Sequence, residues 1–258
     1  MEECVDEIRE WMKSNYLKLN DNKTEFILFG SPVKLGKINV PHFRVGDSDI
    51  PPVDQVRNLG VLMDNKMSME SHINATIKSC SYHIRNLGKI RKYLNQQATE
   101  QLVHAFISSR LDMGNALLYG LPNNLIRRLQ LKQNTAARLV TGTKVSMHIS
   151  PILSDLHWLP VRFRIQFKIL LLTYRAINNL APPYITELLV LSQTRSGLRS
   201  ASQHLLAEPK TLRSWGDRSF FAAAPHLWNN LPEHIRFSAT LQTFKSRLKT
   251  HLMDIAFS

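Results

Sequence analysis

Apolar positions along the chain fall into two textures. From residue 3 to 14, Cys4, Val5, Ile8, Trp11 and Met12 recur at steps of three and four. That spacing predicts an amphipathic helix with these side chains on one face and Trp11 in the core. Phe26-Ile27-Leu28-Phe29 is a continuous apolar run closed by Gly30-Ser31-Pro32, and it reads as a buried strand. Residues 32–55 hold four prolines and several Gly and Asp positions. They predict turns and a hairpin, with Ile38 and Val40 in one arm and Phe43 and Val45 in the other. Leu59-Gly60-Val61-Leu62 reads as another strand, with Gly60 permitting a bulge or a close backbone approach.

After residue 66 the period changes. Ile73, Ile77, Cys80, Ile84 and Leu87 alternate steps of four and three, which predicts a helix over about 69–92. Lys78 and Arg85 lie off that stripe, and Lys89, Arg91 and Lys92 crowd the helix end, where cations suit the dipole. Leu102, Val103, Phe106, Ile107 and Leu111 form a second stripe, and Leu125, Leu129, Ala136 and Val140 a third. Ser150-Pro151 has the form of an N-cap followed by proline at the first helical position. A longer helix is expected over 161–180, stopped by Pro182-Pro183. Residues 192–219 are polar and aperiodic, a loop in this reading. Two short helices follow, near 219–229 and 240–255. The pattern predicts a mainly α protein with a small N-terminal α/β part. Its three regions are 1–66 (α/β), 67–145 (helical and basic) and 146–258 (helical).

Charge sharpens this division. The 258 residues carry 33 Lys+Arg and 20 Asp+Glu, a net of +13. Residues 1–60 hold 8 basic and 10 acidic side chains, a net of −2, so the remainder carries +15. A surface of that sign attracts polyanions, and phosphate backbones are the commonest. The same lysines and arginines read equally as solubilising side chains. No apolar run approaches the roughly 18 residues of a membrane span. The first residues are acidic where an export signal is basic, so the expected setting is intracellular, in cytoplasm or nucleus. Two cysteines, Cys4 and Cys80, cannot build a disulfide framework.

Motifs that carry chemistry are mostly missing. There is no phosphate-binding glycine loop, dinucleotide fingerprint or Gly-x-Ser-x-Gly elbow. Cys80 and His83 are spaced to share a metal, but nothing completes the set and Cys80 sits on an apolar stripe, so it reads as core. Asp47 and Asp49 read as a solvated turn rather than a metal site. Trp11, Trp158 and Trp228, beside leucines, read as packing residues.

Several long motifs carry a resemblance. They are Trp11-Met-Lys-Ser-Asn15-Tyr-Leu-Lys-Leu-Asn20-Asp-Asn-Lys23-Thr24-Glu25-Phe-Ile-Leu-Phe-Gly30, then Val56-Arg-Asn-Leu59-Gly60-Val61, then Ser109-Arg110-Leu111-Asp112 through Asn115-Ala-Leu-Leu-Tyr119-Gly120-Leu-Pro122. His157-Trp158-Leu159-Pro160-Val161, Ala224-Pro225-His-Leu-Trp228-Asn229 and Phe244-Lys-Ser-Arg-Leu-Lys-Thr-His-Leu follow. In this order they resemble the C-terminal part of reverse transcriptases of LINE-type (non-LTR) retrotransposons of the jockey and chicken-repeat kind.

The resemblance implies the end of a polymerase palm with its primer grip (1–66), a helical thumb (67–145) and the helical C-terminal region of the polyprotein (146–258). The family's activity is RNA-directed DNA polymerisation, with carboxylates holding Mg²⁺ ions. Its Tyr-Ala-Asp-Asp aspartates would lie upstream of Met1, and no Ala-Asp-Asp occurs in these 258 residues. The expectation is therefore a truncated, catalytically incomplete chain: not an enzyme, without cofactor or metal of its own. No membrane partner and no small-molecule substrate are expected.

Residue by residue, Lys23 falls on the position that would protonate the leaving pyrophosphate, idle here; its plainer reading is a solvated lysine. Leu59 and Gly60 fall on the primer-grip turn. Lys78, Arg85, Lys89, Arg91 and Lys92 would track the phosphates of an RNA or DNA duplex, or else form a solvated helix face. The Asp112-Met113-Gly114-Asn115 segment departs from the Asp-Tyr-Cys-Asn expected in relatives. The alternative function is a vestigial or domesticated helical interaction module with no nucleic-acid role.

Overall fold

A computed structural model describes residues 2–38, 40–46, 48–192, 204–211 and 214–258. Contacts divide the chain into two compact units, Met1–Ala75 and Thr76–Ser258. The described protein is mostly helical, with two small antiparallel hairpins near the N-terminus. Asp47 and residues 193–203 and 212–213 lie outside the described residues. In the rest of the polar stretch 192–219, Ser214–Arg218 is helical where a loop was expected.

The first unit begins with α1 (Glu2–Ser14), followed by a 3₁₀ turn at Asp21–Lys23 and the short α2 (Pro32–Leu35). Strands β1 (Phe43–Val45) and β2 (Ser48–Ile50) pair with Phe43 opposite Ile50. Strands β3 (Gln55–Asn58) and β4 (Val61–Asp64) pair with Asn58 opposite Val61. Helix α3 (Glu70–Ile90) begins in this unit. It is preceded by a loop tied to one carboxylate. Asp64 accepts from Lys66 N, Ser68 N, Ser68 Oγ and Met69 N at 2.8–3.1 Å. Burial opposes the ionised carboxyl, but these donors outweigh it and hold Asp64 below the usual carboxylate range.

Four local expectations are corrected. Phe26–Phe29 is not a strand. It makes only an isolated bridge, Phe26 with Pro52. Proline has no N–H, so no ladder can extend past that point. The first hairpin pairs Phe43–Val45 with Ser48–Ile50, not with Ile38 and Val40, because the chain reverses at Gly46, whose φ is 60°. Leu59 and Gly60 are the two-residue turn between β3 and β4, not the start of a strand. Both have positive φ (45° and 87°), as a type I′ turn requires. Trp11 is 63 % exposed and no residue of α1 is buried. The helix is held through its polar side instead: Arg9 Nη2 donates to Asp21 at 2.9 Å, and Glu2 accepts from Arg44 N at 3.2 Å. Glu2 and Arg9 are two turns apart on one face; Val5 and Met12 beside it are half-buried, while Cys4, Ile8 and Trp11 are exposed.

Most of α3 belongs to the second unit, where Cys80 and Leu87 are buried as the stripe predicts. A 3₁₀ turn (Arg91–Tyr93) leads to α4 (Gln96–Val103), whose N-cap Asn95 accepts from Ala98 N. A π-helical segment (His104–Ser108) and α5 (Ser109–Asp112) continue the same rod. After a 3₁₀ turn (Asn115–Leu118) comes α6 (Asn123–Thr141), ended by Gly142 at φ 71°. Helix α7 (Ile149–Asp155) starts two residues before Pro151, with His148 as its cap residue in place of Ser150. The shift is within ordinary fraying of a helix start.

Helix α8 (Val161–Ile177) stops short of residue 180. Asn179 takes φ 55° and closes a Schellman motif, with Leu180 N bonded to Arg175 O and Asn179 N to Ala176 O. The short α9 (Pro183–Thr186), α10 (Ser214–Arg218), α11 (Phe220–Asn229), α12 (Glu233–Arg236) and α13 (Leu241–Phe257) complete the unit.

The core of this unit gathers on α8, α11 and α13. Tyr174 stacks on Phe244 with ring centroids 4.3 Å apart, and Trp228 lies 5.8 Å from the same ring. The polar tips are satisfied: Tyr174 OH donates to Ser238 O and Trp228 Nε1 to His204 O. Burial of Trp158 and Trp228 agrees with their spacing beside leucines.

Candidate nucleic-acid interface

Charge follows the division into units. Residues 1–75 hold 9 basic and 12 acidic side chains, a net of −3; residues 76–258 hold 24 and 8, a net of +16. The positive field therefore belongs to the helical unit alone.

Within it, α3 displays a basic row. Lys78, Tyr82, Arg85 and Lys89 fall at steps of four, three and four, within about 60° of one another around the axis. All four are exposed. Lys78, Arg85 and Lys89 form no hydrogen bond or ion pair among the described residues. Eleven residues separate the outer two, about 16 Å of helix. At the end of the row Lys92 Nζ sits 4.8 Å above the exposed ring of Tyr93. Cations interleaved with exposed rings can meet phosphates and stack on bases. Tyr82 was not singled out from the sequence; its position four residues after Lys78 was the available signal.

Arg91 has a different surrounding. Its Nε donates to Leu139 O (2.8 Å), Nη2 to Val140 O (3.0 Å) and Nη1 to Leu94 O (2.8 Å). The guanidinium thus ties the last turn of α6 to the α3–α4 connection. Behind the basic row, the His83 ring stacks on Phe106 at 5.1 Å, and Arg110 Nε donates to Ser79 Oγ. Burial and the nearby Arg110 lower the pKa of His83. Burial pushes the Cys80 thiol up to about 11 against the opposing pull of Arg110 and Lys132. A protonated thiol of that kind is a packing group.

Leu59, Gly60 and Lys23 belong to the first unit. Leu59 is 92 % exposed at the tip of its hairpin, and Lys23 is exposed at the end of the Asp21–Lys23 turn. Among the described residues, no group of three or more His, Cys, Asp or Glu is arranged to hold a metal ion. No described helix is long and apolar enough to cross a membrane.

The segment His157-Trp158-Leu159-Pro160-Val161 is fixed by two helices of its own unit, α4 and α6. Trp158 Nε1 donates to Glu100 on α4 (3.1 Å), Gln133 Nε2 on α6 donates to Leu159 O (2.8 Å), and Gln130 Oε1 accepts the first N–H of α8 from Val161 (2.8 Å). Beside it lies a cleft of about 380 Å³. Arg164 on α8 grips Asp112 with both Nε (2.8 Å) and Nη2, and Asn115 Nδ2 donates to the same carboxylate. The structure thus joins two quoted motifs, around Asp112 and around Trp158, in one site.

No family model, curated protein or solved structure matches the chain.

Proposed function

We propose that the helical unit binds nucleic-acid duplexes through the basic and aromatic face of α3, as the thumb-like part of a non-LTR retrotransposon reverse transcriptase. Residues 1–66 would then be the palm end, with Leu59 and Gly60 at its primer grip, and 67–145 the thumb. The resemblance supplies the family. The observation that carries the binding reading is the row Lys78, Tyr82, Arg85 and Lys89, its cations unpaired, on a unit of net charge +16. These 258 residues contain no Ala-Asp-Asp, so we propose no polymerisation by them alone.

The test is fluorescence anisotropy of a labelled RNA–DNA hybrid against salt. Each phosphate neutralised contributes about 0.9 to the slope of log K against log salt. Lys78→Gln with Arg85→Gln and Lys89→Gln should flatten the slope by about 2.7. Absence of binding at 50 mM salt, on the order of the lowest concentration in such series, would overturn the reading in favour of an interaction module. Primer extension by the pure chain, abolished by a chelator, would overturn the catalytic part.

A further inference from the structure

The cleft beside Trp158 shares no lining residue with the α3 row, and its lining is more specific than a packing defect. Five elements converge on it: α4 with the π segment, the turn after α5, the α7–α8 connection, α8 and α13. Both of its acids are engaged. Glu100 accepts from Trp158 Nε1 and lies 3.5 Å from His104 Nε2, while Asp112 is held by Arg164 and Asn115. The cations Lys168 and Lys249 at its rim form no hydrogen bond or ion pair among the described residues. Phe167 and Leu171 supply an apolar wall between α8 and the rim. Asn115, 4 % exposed, also lines the cleft, and its Oδ1 has no hydrogen-bond partner. A buried acceptor left unpaired is uncommon and needs a donor from somewhere.

His157 adds an independent observation. It occupies the position after α7 that closes a Schellman motif: His157 N bonds to Ser154 O and Trp158 N to Leu153 O. Its φ is 54°, a conformation usually given to glycine. The ring Nδ1–H donates to Ser154 O at 3.0 Å, which leaves Nε2 as the second ring nitrogen at the cleft. A bulky residue kept in a left-handed position at a cleft points to a task for its side chain.

We propose that this cleft binds a nucleoside monophosphate moiety, either a free nucleotide or the 5′-phosphorylated end of a strand. Lys168 and Lys249 meet the phosphate, His157 Nε2 accepts from a ribose hydroxyl, Phe167 and Leu171 pack the base, and an exocyclic amine of the base donates to Asn115 Oδ1. The volume lies in the range of small-ligand sites. Cations without partners select an anion, and an apolar wall with one buried acceptor selects a base-bearing one over inorganic phosphate.

The experiment is calorimetric titration of the full chain at low salt with AMP, adenosine, inorganic phosphate, and a trinucleotide with and without a 5′-phosphate. AMP should bind at least tenfold more tightly than phosphate or adenosine. His157→Gly should weaken AMP at least fivefold without lowering the melting temperature, because glycine relieves the left-handed backbone. Lys168→Gln with Lys249→Gln, both at exposed positions, should weaken it further and leave the fold intact. A 5′-phosphorylated trinucleotide binding as tightly as AMP identifies a strand end as the source; binding of AMP alone identifies the free nucleotide. No AMP binding at 1 mM, on the order of the weak end of the affinity scale, overturns the proposal. So does binding no tighter than phosphate, or binding unchanged in these variants. Because the α3 row is untouched by these substitutions, hybrid binding that persists while AMP binding is lost separates this site from that face.

Discussion

Arg91 provides the sharpest test of how charge is used in the helical unit. From the sequence it belongs to the basic cluster at the end of α3. In the structure all three of its donating nitrogens face backbone carbonyls, two of them 48 and 49 residues away. Arg91→Ala removes three charge-assisted hydrogen bonds at a half-buried position. Each is worth about 1 kcal/mol or somewhat more, and water recovers part of the loss at the helix end. A destabilisation of about 2–3 kcal/mol is therefore expected. For a unit of this size that lowers the melting temperature by about 5–10 °C. Arg91→Lys keeps the charge but cannot span three carbonyls with one ammonium, so most of the loss should remain. Thermal melts followed by near-ultraviolet circular dichroism, which reports the three tryptophans of this unit, give the magnitude. Hybrid binding by Arg91→Ala, measured below its melting temperature, should keep the parent's salt slope. A melting point within about 1 °C of the parent, or a slope flattened as a lost phosphate contact would flatten it, refutes the structural assignment.

Three other outcomes are expected. Asp64 is held below the usual carboxylate range, so its contribution is present at neutral pH and disappears as acid protonates it, below about pH 4. Asp64→Asn should lower the urea midpoint at pH 7, and the gap should begin to narrow below about pH 4; a gap that stays constant through the acid range contradicts the carboxylate's role. Leu59→Asn, in a left-handed turn position that suits Asn-Gly, should stabilise the first unit by ~1 kcal/mol in urea unfolding, and a lower midpoint would disprove the turn geometry. With its thiol near 11, Cys80 has a thiolate fraction about a hundredfold below an ordinary cysteine. A thiol reagent at pH 8 should therefore modify only exposed Cys4 in the native chain and both thiols after denaturation; rapid modification of both in the native chain fails this test.

The helices were largely legible. The stripe Ile73, Ile77, Cys80, Ile84 and Leu87 locates α3, and Leu125, Leu129, Ala136 and Val140 locate α6, because side chains three and four apart share a face whatever lies opposite. The strands were not. Phe26–Phe29 has strand composition, but pairing depends on a partner with free N–H groups, and the segment it meets contains Pro52. The stripe on α1 likewise gave the helix but not its burial, since the helix is tied down by Glu2 and Arg9 at one edge of the stripe and only Val5 and Met12 of it are half-buried.

The candidate sites divide along the same line. That Lys78, Arg85 and Lys89 lie off the apolar stripe of α3 was legible because a helix face is a local property, and Tyr82 could have been added by the same count. Arg91 could not be separated from them, because only its carbonyl partners on α6 distinguish it. The cleft was out of reach altogether. Glu100 meets Trp158 across 58 residues, and Arg164 meets Asp112 across 52. By itself the sequence determined the helical periods, the concentration of positive charge after the first quarter of the chain, and the motifs that resemble a retrotransposon polymerase. The tertiary structure alone decided which cations are spent on carbonyls and which face solvent, and it assembled the Trp158 cleft. Periodicity is set within a few residues, whereas hydrogen-bond partners are set by which distant segments the core brings together.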